Sequence, residues 1–309
     1  MPRRSISRFR ATAGARVLVG LGLVATVTTG CAATPQAGPA LTPAPAVSAE
    51  PGPTGTGAAA VDGLPSSHVH GVAVNPADGL VYLASHDGLF RYGPDGPERV
   101  GPVIDLMGFT VAGPDHFYSS GHPSPGVDLP APLGLAESTD AGQTWQPLSR
   151  GGQSDFHALT ASTATVVGYD GSALRSTTDG QTWTELDAPV EPFALAASPD
   201  GRVLVATSTA GVYRSDDGGA TWQQPQAPLL QYVAFADDTV AVGVTPDGDV
   251  ARSDDAGQTW TQVATLGEPA AALTAARAPD SGVRVVVVTA QEVLESADGG
   301  ATFAPLATG

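Results

Sequence analysis

From residue 69 onward the chain alternates between short apolar runs and polar, glycine-rich breaks. The runs come in threes: FHALTAS, TVVGYD and SALRS, then PFALAAS, RVLVATS and GVYRS, then YVAFAD, TVAVGVT and DVARS. Each is five to seven residues long, rich in Val and Ala, and set off by Gly, Asp or Pro. That length and punctuation predict strands. After each trio comes an eight-residue polar segment and then a fourth run such as TWTEL. An earlier stretch, GVAVNPADGLVYLASHDGLFRYGPDG, repeats the strand pattern without the polar segment.

The polar segment is the clearest repeat: STDAGQTW from Ser138, STTDGQTW from Ser176, SDDGGATW from Ser215, SDDAGQTW from Ser253 and SADGGATF from Ser296. The template is S-x-D-x-G-x-T-W/F, and the second copy has Thr178 where the aspartate belongs. Serine-to-serine gaps of 38, 39, 38 and 43 residues are the period of a propeller or solenoid. Four short strands per period form one propeller blade. Residues 65–309 are therefore expected to form an all-β, six-bladed β-propeller.

Turn chemistry accounts for each fixed position. Serine hydroxyls and aspartate carboxylates bond the backbone of their own turn, glycine takes a backbone angle closed to other residues, and the aromatic ring buries between layers. Ser138, Asp140, Gly142 and Trp145 are thus expected to be structural. So are Ser176 and Trp183, Ser215, Asp217 and Trp222, Ser253, Asp255 and Trp260, and Ser296, Asp298 and Phe303. All four tryptophans of the chain sit in these segments.

These segments resemble the Asp-box (BNR) repeats of sialidase-like propellers, and more distantly those of photosystem II assembly-factor-like proteins. A narrower series, HVHGVAVNPADGLVYLASHDGLFR, MGF, SGHPSP, LGLAESTDAGQTW and DFHAL, resembles bacterial exported proteins of the F510_1955-type "glycosylhydrolase" family. Fold likeness of this kind does not establish an activity. The resemblance implies that a ligand site would lie on the face opposite the boxes. It also implies, for sialidase chemistry, three arginines converging on a substrate carboxylate, for which the guanidinium fork is suited. Arg175, Arg214 and Arg252 each directly precede a box serine and are expected on the box face, as is Arg91. Only Arg150 is expected near the other rim, so sialidase activity is not expected.

Charge and the N-terminus add a location. The net charge is −17, with no lysine, and five of the 14 arginines (Arg3, Arg4, Arg8, Arg10, Arg16) precede the first apolar run. Without those five the chain is more acidic still, a surface that repels nucleic acid. Residues 1–30 read as a lipoprotein-type signal peptide: a basic start, then VLVGLGLVATVTTG, then the chain's single cysteine, Cys31. The Ala-, Pro- and Gly-rich residues 31–64 read as a disordered tether. A lipid on Cys31 would anchor the propeller to the bilayer on the outer, extracytoplasmic face of the membrane.

Inner-strand starts and second-strand ends gather on the non-box face. His68, His70, His86, Asp87, Asp105, His122, Asp155, His157, Tyr169, Asp170 and Glu191 all fall at such places, and only His116 is expected elsewhere. Two chemistries compete there. Imidazoles and carboxylates suit a transition metal, zinc or copper, with His70, His86, His122 and His157 as ligands and Asp155 or Asp170 in support. A pair among Asp87, Asp105, Asp155, Asp170 and Glu191 would suit a glycoside hydrolase. The remaining alternatives are that these side chains bond to loops and plug the axis, or that the face binds an envelope protein or glycan, as a scaffold for assembling an envelope complex would. The long Pro- and Gly-rich insertion at 119–135 is a further expected binding element or lid.

Overall fold

The computed structural model describes residues 64–66, 68–279 and 282–307. The expected signal peptide, Cys31 and all of the tether but Leu64 lie outside the described residues. Those described contain strands and turns and no helix.

Val-rich segments pair with their nearest neighbours in sequence, giving six antiparallel sheets. Blade one is β1 (Val69–Val74), β2 (Val81–Ser85), β3 (Gly88–Gly93) and β4 (Gly96–Val100). Blade two is β5 (Ile104–Gly113), β6 (His116–Pro123), β7 (Leu135–Ser138) and β8 (Gln146–Ser149). Blade three is β9 (Ala158–Ala161), β10 (Val166–Tyr169), β11 (Leu174–Thr177) and β12 (Thr184–Leu186). Blade four is β13 (Ala194–Ala197), β14 (Leu204–Ser208) and β15 (Gly211–Ser215). Blade five is β16 (Tyr232–Phe235), β17 (Ala241–Val244), β18 (Asp249–Ser253) and β19 (Thr261–Thr265). Blade six is β20 (Ala270–Arg277), β21 (Val283–Thr289), β22 (Val293–Ser296) and β23 (Ala304–Pro305). The fold is the expected six-bladed propeller, with one departure. Blade four lacks a full outer strand, its edge reduced to a single bridge between Arg214 and Gln223. The sequence there, QQPQAP, carries two prolines that cannot donate to a ladder.

Second strands such as β2, β14 and β17 are buried at every position. Both of their faces meet another blade, so they read as unbroken apolar runs rather than alternating ones. Six apolar clusters fill the six seams. The box aromatics explain their spacing: Trp145 packs in the seam of blades one and two, Trp183 in that of two and three, and Trp222 in that of three and four. Trp260 and Phe303 serve the next two seams. The seam that closes the ring has no box, because blade one has none. There Val72, Leu83 and Tyr92 pack against Val286, Val288 and Val293. Each blade is one continuous stretch of chain, so side-chain packing, not a shared sheet, joins the first blade to the last.

The boxes work as turns. In the first, Ser138 Oγ donates to Asp140 Oδ1 (2.8 Å) and accepts from Gly142 N (2.8 Å), while Asp140 accepts from Thr144 N (2.9 Å) and Thr144 Oγ1 (2.6 Å). Gly142 has φ of 86° and lies so close to Leu89 and Phe117 that a Cβ would fall 2.3 Å from Leu89 Cδ2. Asp217, Asp255 and Asp298 repeat the pattern with Ser215, Ser253 and Ser296. Bonds from Thr221 and Thr302 hold the Asp217 and Asp298 carboxyls down at about 2.

The second box differs from its expected register. Its hydroxyl is Thr177, not Ser176: Thr177 Oγ1 donates to Asp179 Oδ1 at 3.0 Å, and Asp179 accepts from Gln181 N and Thr182 N at 2.8 and 2.7 Å. The box is one residue shorter between aspartate and glycine, and Thr177 is the buried side chain. Ser176 instead pairs with Thr184 in the β11–β12 ladder.

Candidate metal centre on the non-box face

His70 is the extra residue of a bulge. Val69 pairs with Ser85 and Gly71 with Ala84, so His70 has no partner across the ladder, and its side chain is re-aimed. His86 follows β2, its N–H bonded to His68 O at 3.3 Å. Asp105 lies near the start of β5 in the next blade and pairs in register with His122. His70 Nε2 lies 3.3 Å from His86 Nδ1 and 3.5 Å from Asp105 Oδ1, and His86 Nδ1 lies 2.7 Å from Asp105 Oδ1. That last approach is short but lacks hydrogen-bond geometry: Asp105 Oδ1 is buried and has no hydrogen-bond partner. Burial, then the neighbouring His86, push His70 below its ordinary pKa, with Asp105 only partly opposing them. That direction favours the neutral, ligating form of its imidazole.

The expected convergence of His70, His86, His122 and His157 on one point does not occur. Among the described residues only His70, His86 and Asp105 bring three ligand atoms within 4.8 Å of one another. His122 and His157 form a second group around Asp155, whose Oδ2 accepts from His122 Nε2 at 2.9 Å and His157 Nε2 at 2.8 Å. The carboxylate sits between the two rings, so it holds them in a hydrogen-bonded His–Asp–His chain rather than as one ligand set. His68 stands beside the first group, its ring centre 5.0 Å from that of His86. His116 is elsewhere, as expected, bonded to Glu137 Oε1 at 2.7 Å.

Asp170 is not available to a metal. It accepts from Ser154 Oγ (2.7 Å) and Ser172 Oγ (2.5 Å), and Arg150 and Arg175 lie 3.5 and 3.4 Å from its Oδ2. Burial alone would raise its pKa, but the Ser172 and Ser154 hydroxyls and the Ala173 N–H outweigh that and hold it far below the usual carboxylate range. Arg175 therefore reaches the non-box rim, contrary to its expected place on the box face. The box shift explains this: the true box hydroxyl is Thr177, so Arg175 stands one residue further from the box. Arg214 and Arg252 do stay on the box face, Arg214 Nε donating to Ala256 O and Arg252 pairing with Asp254. Asp87 is exposed in the β2–β3 turn, and Glu191 is exposed in the β12–β13 connection.

The insertion after β6 is not a loose lid. Residues 119–123 and Leu135 belong to strands, and Leu133 is fully buried. Its backbone is tied down by Leu133 N to Gly121 O (2.7 Å) and Gly134 N to Ser154 O (3.1 Å).

A cavity of about 560 Å³ occupies the propeller axis, lined by inner strands of all six blades. His70, Asp155, His157 and Asp170 lie on one side of its wall, and Phe193 and Tyr232 on another. Nothing in the sequence pattern singled out Phe193. The signal would have been its place directly before an inner strand, in PFALAAS, at the register where FHALTAS of blade three carries His157.

A family model for the BNR/Asp-box repeat matches residues 213–224, the third box. A 62-residue segment is 34% identical to the photosystem II assembly lipoprotein Ycf48 of Synechococcus sp. (strain CC9902), covering 19% of each protein. Among solved structures, the GH74 xyloglucanase of Xanthomonas campestris aligns with a TM-score of 0.55 at 18% identity, over 77% of this chain and 38% of the enzyme. Virginiamycin B lyase of Staphylococcus aureus aligns with a TM-score of 0.53 at 13% identity, over 78% and 85%. The chain spans less than two fifths of the xyloglucanase and a fifth of the lipoprotein, and at these identities the structural likeness is one of fold. Repeat, register and blade count together make this chain an Asp-box β-propeller of six blades.

Proposed function

We propose that the propeller is a metal-dependent binding protein, holding zinc or copper through His70, His86 and Asp105 on its non-box face. The spacing of these three ligand atoms carries the reading. Metal–ligand bonds of about 2.0–2.2 Å set tetrahedral edges of roughly 3.3–3.6 Å. Two of the three edges, 3.3 and 3.5 Å, have that length. The third, 2.7 Å, would open on binding, and a cation would satisfy the orphaned Asp105 oxygen. Three protein ligands leave a position for an exogenous one, as in open rather than closed sites. Glycoside hydrolysis has less support: Asp155 is bonded to two imidazoles, Asp105 lies against His70 and His86, Asp170 is held by arginines, and Asp87 and Glu191 stand in exposed turns.

Calorimetric titration of tag-free protein with zinc and with copper tests this. One ion per chain is expected, and His86→Ala or Asp105→Asn should weaken binding by at least about tenfold, a direct ligand being lost. Affinity unchanged in both variants refutes the site.

The same reading places the propeller outside the cell, tethered by a lipid on Cys31, with an envelope protein or glycan within reach. The supporting observation is the lone cysteine directly after the apolar run. Full-length protein expressed in bacteria should partition with detergent, and Cys31→Ser should release it to the aqueous phase. A Cys31→Ser protein that stays membrane-bound and is processed normally refutes the anchor.

A further inference from the structure

We infer that the axial cavity seats a small ligand bearing a metal-binding acid group at one end and an aryl or branched apolar group at the other. The inference rests on the metal reading above and names the class of molecule that completes the site. At about 560 Å³, the cavity lies within the roughly 300–1,000 Å³ of small-molecule sites, which are largely apolar with a few converging polar groups.

Its wall is divided by chemistry. Imidazole and carboxylate groups enter it only from blades one and three, His70 on one and Asp155, His157 and Asp170 on the other. The lining of blades four to six carries no charged or imidazole group, and presents Phe193 and Tyr232 instead. Phe193 is 54% exposed and Leu229 49%, and they are the exposed large hydrophobics among the described residues. Phe193 directly precedes β13, and Leu229 lies three residues before β16. Phe193 packs edge-on against Tyr232 with ring centres 5.4 Å apart.

The aromatic wall is held in place. Phe193 N donates to Thr207 O at 2.7 Å and Ala194 N to Thr207 Oγ1 at 3.2 Å, while Thr207 Oγ1 donates onward to Gln231 O at 2.7 Å. Blades four and five are thus stitched together beneath the rings. A phenylalanine fixed in this way leaves apolar area in water that a bound apolar group would cover. His70 stands at once in the metal group and in the cavity wall, so the metal group borders this cavity.

The test uses two probes on the zinc-loaded protein, acetohydroxamic acid and phenylacetohydroxamic acid, with zinc uptake measured first. The phenyl probe is expected to bind about tenfold tighter or more, the gain from burying a ring. Phe193→Ala, a change at an exposed side chain, should cut that preference by at least about threefold while leaving affinity for zinc and for acetohydroxamic acid unchanged. Equal affinity for the two probes, or a full phenyl preference in Phe193→Ala, overturns the inference and leaves the metal reading standing. Failure to take up either zinc or copper overturns the metal reading, and this inference with it; a protein that takes up copper alone is tested with the same probes in its copper-loaded form.

Discussion

Phe156→Ala is expected to cost about 3–5 kcal/mol of stability, the range for removing a fully buried ring. Phe156 is completely buried at the seam of blades two and three, stacked on Trp183 with ring centres 4.9 Å apart and planes 22° from parallel. It is packed with Leu135, Leu159 and Val166. The backbone has adapted to it. Gly168 leaves room where a Cβ would fall 2.6 Å from the ring, and Gly108 passes so close that a Cβ would fall 2.1 Å from Phe156 O. Neither Gly108 nor Gly168 has a side chain that could move into the void. Phe156 N also donates to the buried Ser120 Oγ at 2.9 Å. That anchor sets the chain between Asp155 and His157, so the variant should also loosen the His122–Asp155–His157 chain. Denaturant titration followed by tryptophan fluorescence measures the loss. Phe156→Leu, which refills most of the volume, should recover more than half of it. A loss below about 1 kcal/mol in Phe156→Ala would mean that this seam does not hold the ring together.

Gly121→Ala is expected to destabilise the propeller by about 3 kcal/mol and to weaken zinc binding with it. Gly121 has φ of 139°, and a Cβ there would fall 1.8 Å from Asp105 O and 2.9 Å from Met107 N. Neither atom is a flexible side-chain end. The β5 backbone at Asp105 would have to move, and Asp105 is the carboxylate of the proposed metal group. Gly79→Ala is the control. Gly79 also has positive φ, 72°, but nothing lies within 4 Å of its Cβ position. It should cost about 1 kcal/mol by backbone strain alone and leave zinc affinity as it was. Zinc affinity that survives Gly121→Ala in a folded protein would separate Asp105 from the site.

Much of this was legible in the chain because a propeller is a local fold. Each blade is a meander of consecutive strands, so its pairing follows from short runs and tight turns, and the repeated Ser, Asp, Gly and Trp positions mark one blade apiece. The fixed period therefore yielded blade count, box chemistry and the face on which most of the histidines gather. Local deviations were not legible. The missing edge of blade four follows from two prolines in a segment that still has the length of a strand. The shift from Ser176 to Thr177 came from a one-residue deletion inside a box. Two adjacent hydroxyls leave either register open in the sequence, and the bond of Thr177 to Asp179 together with the burial of Thr177 distinguishes them.

The candidate site divides along the same line. By itself the sequence determined which residues stand at the non-box rim, since strand starts and ends are positions along the chain: His70, His86, Asp105, His122, Asp155 and His157 are all there. Only the tertiary structure decided how they group. A bulge turns His70 toward His86, and the pairing of adjacent blades gives Asp105 to that pair and Asp155 to His122 and His157. Arg150, Arg175 and Ser154 take Asp170 out of reach. Most of these choices depend on distances of about 3 Å between residues 16 to 35 positions apart in the chain. A period of near 40 residues places a side chain on a rim, but the direction in which it points is set by bulges and by the packing of one blade on the next.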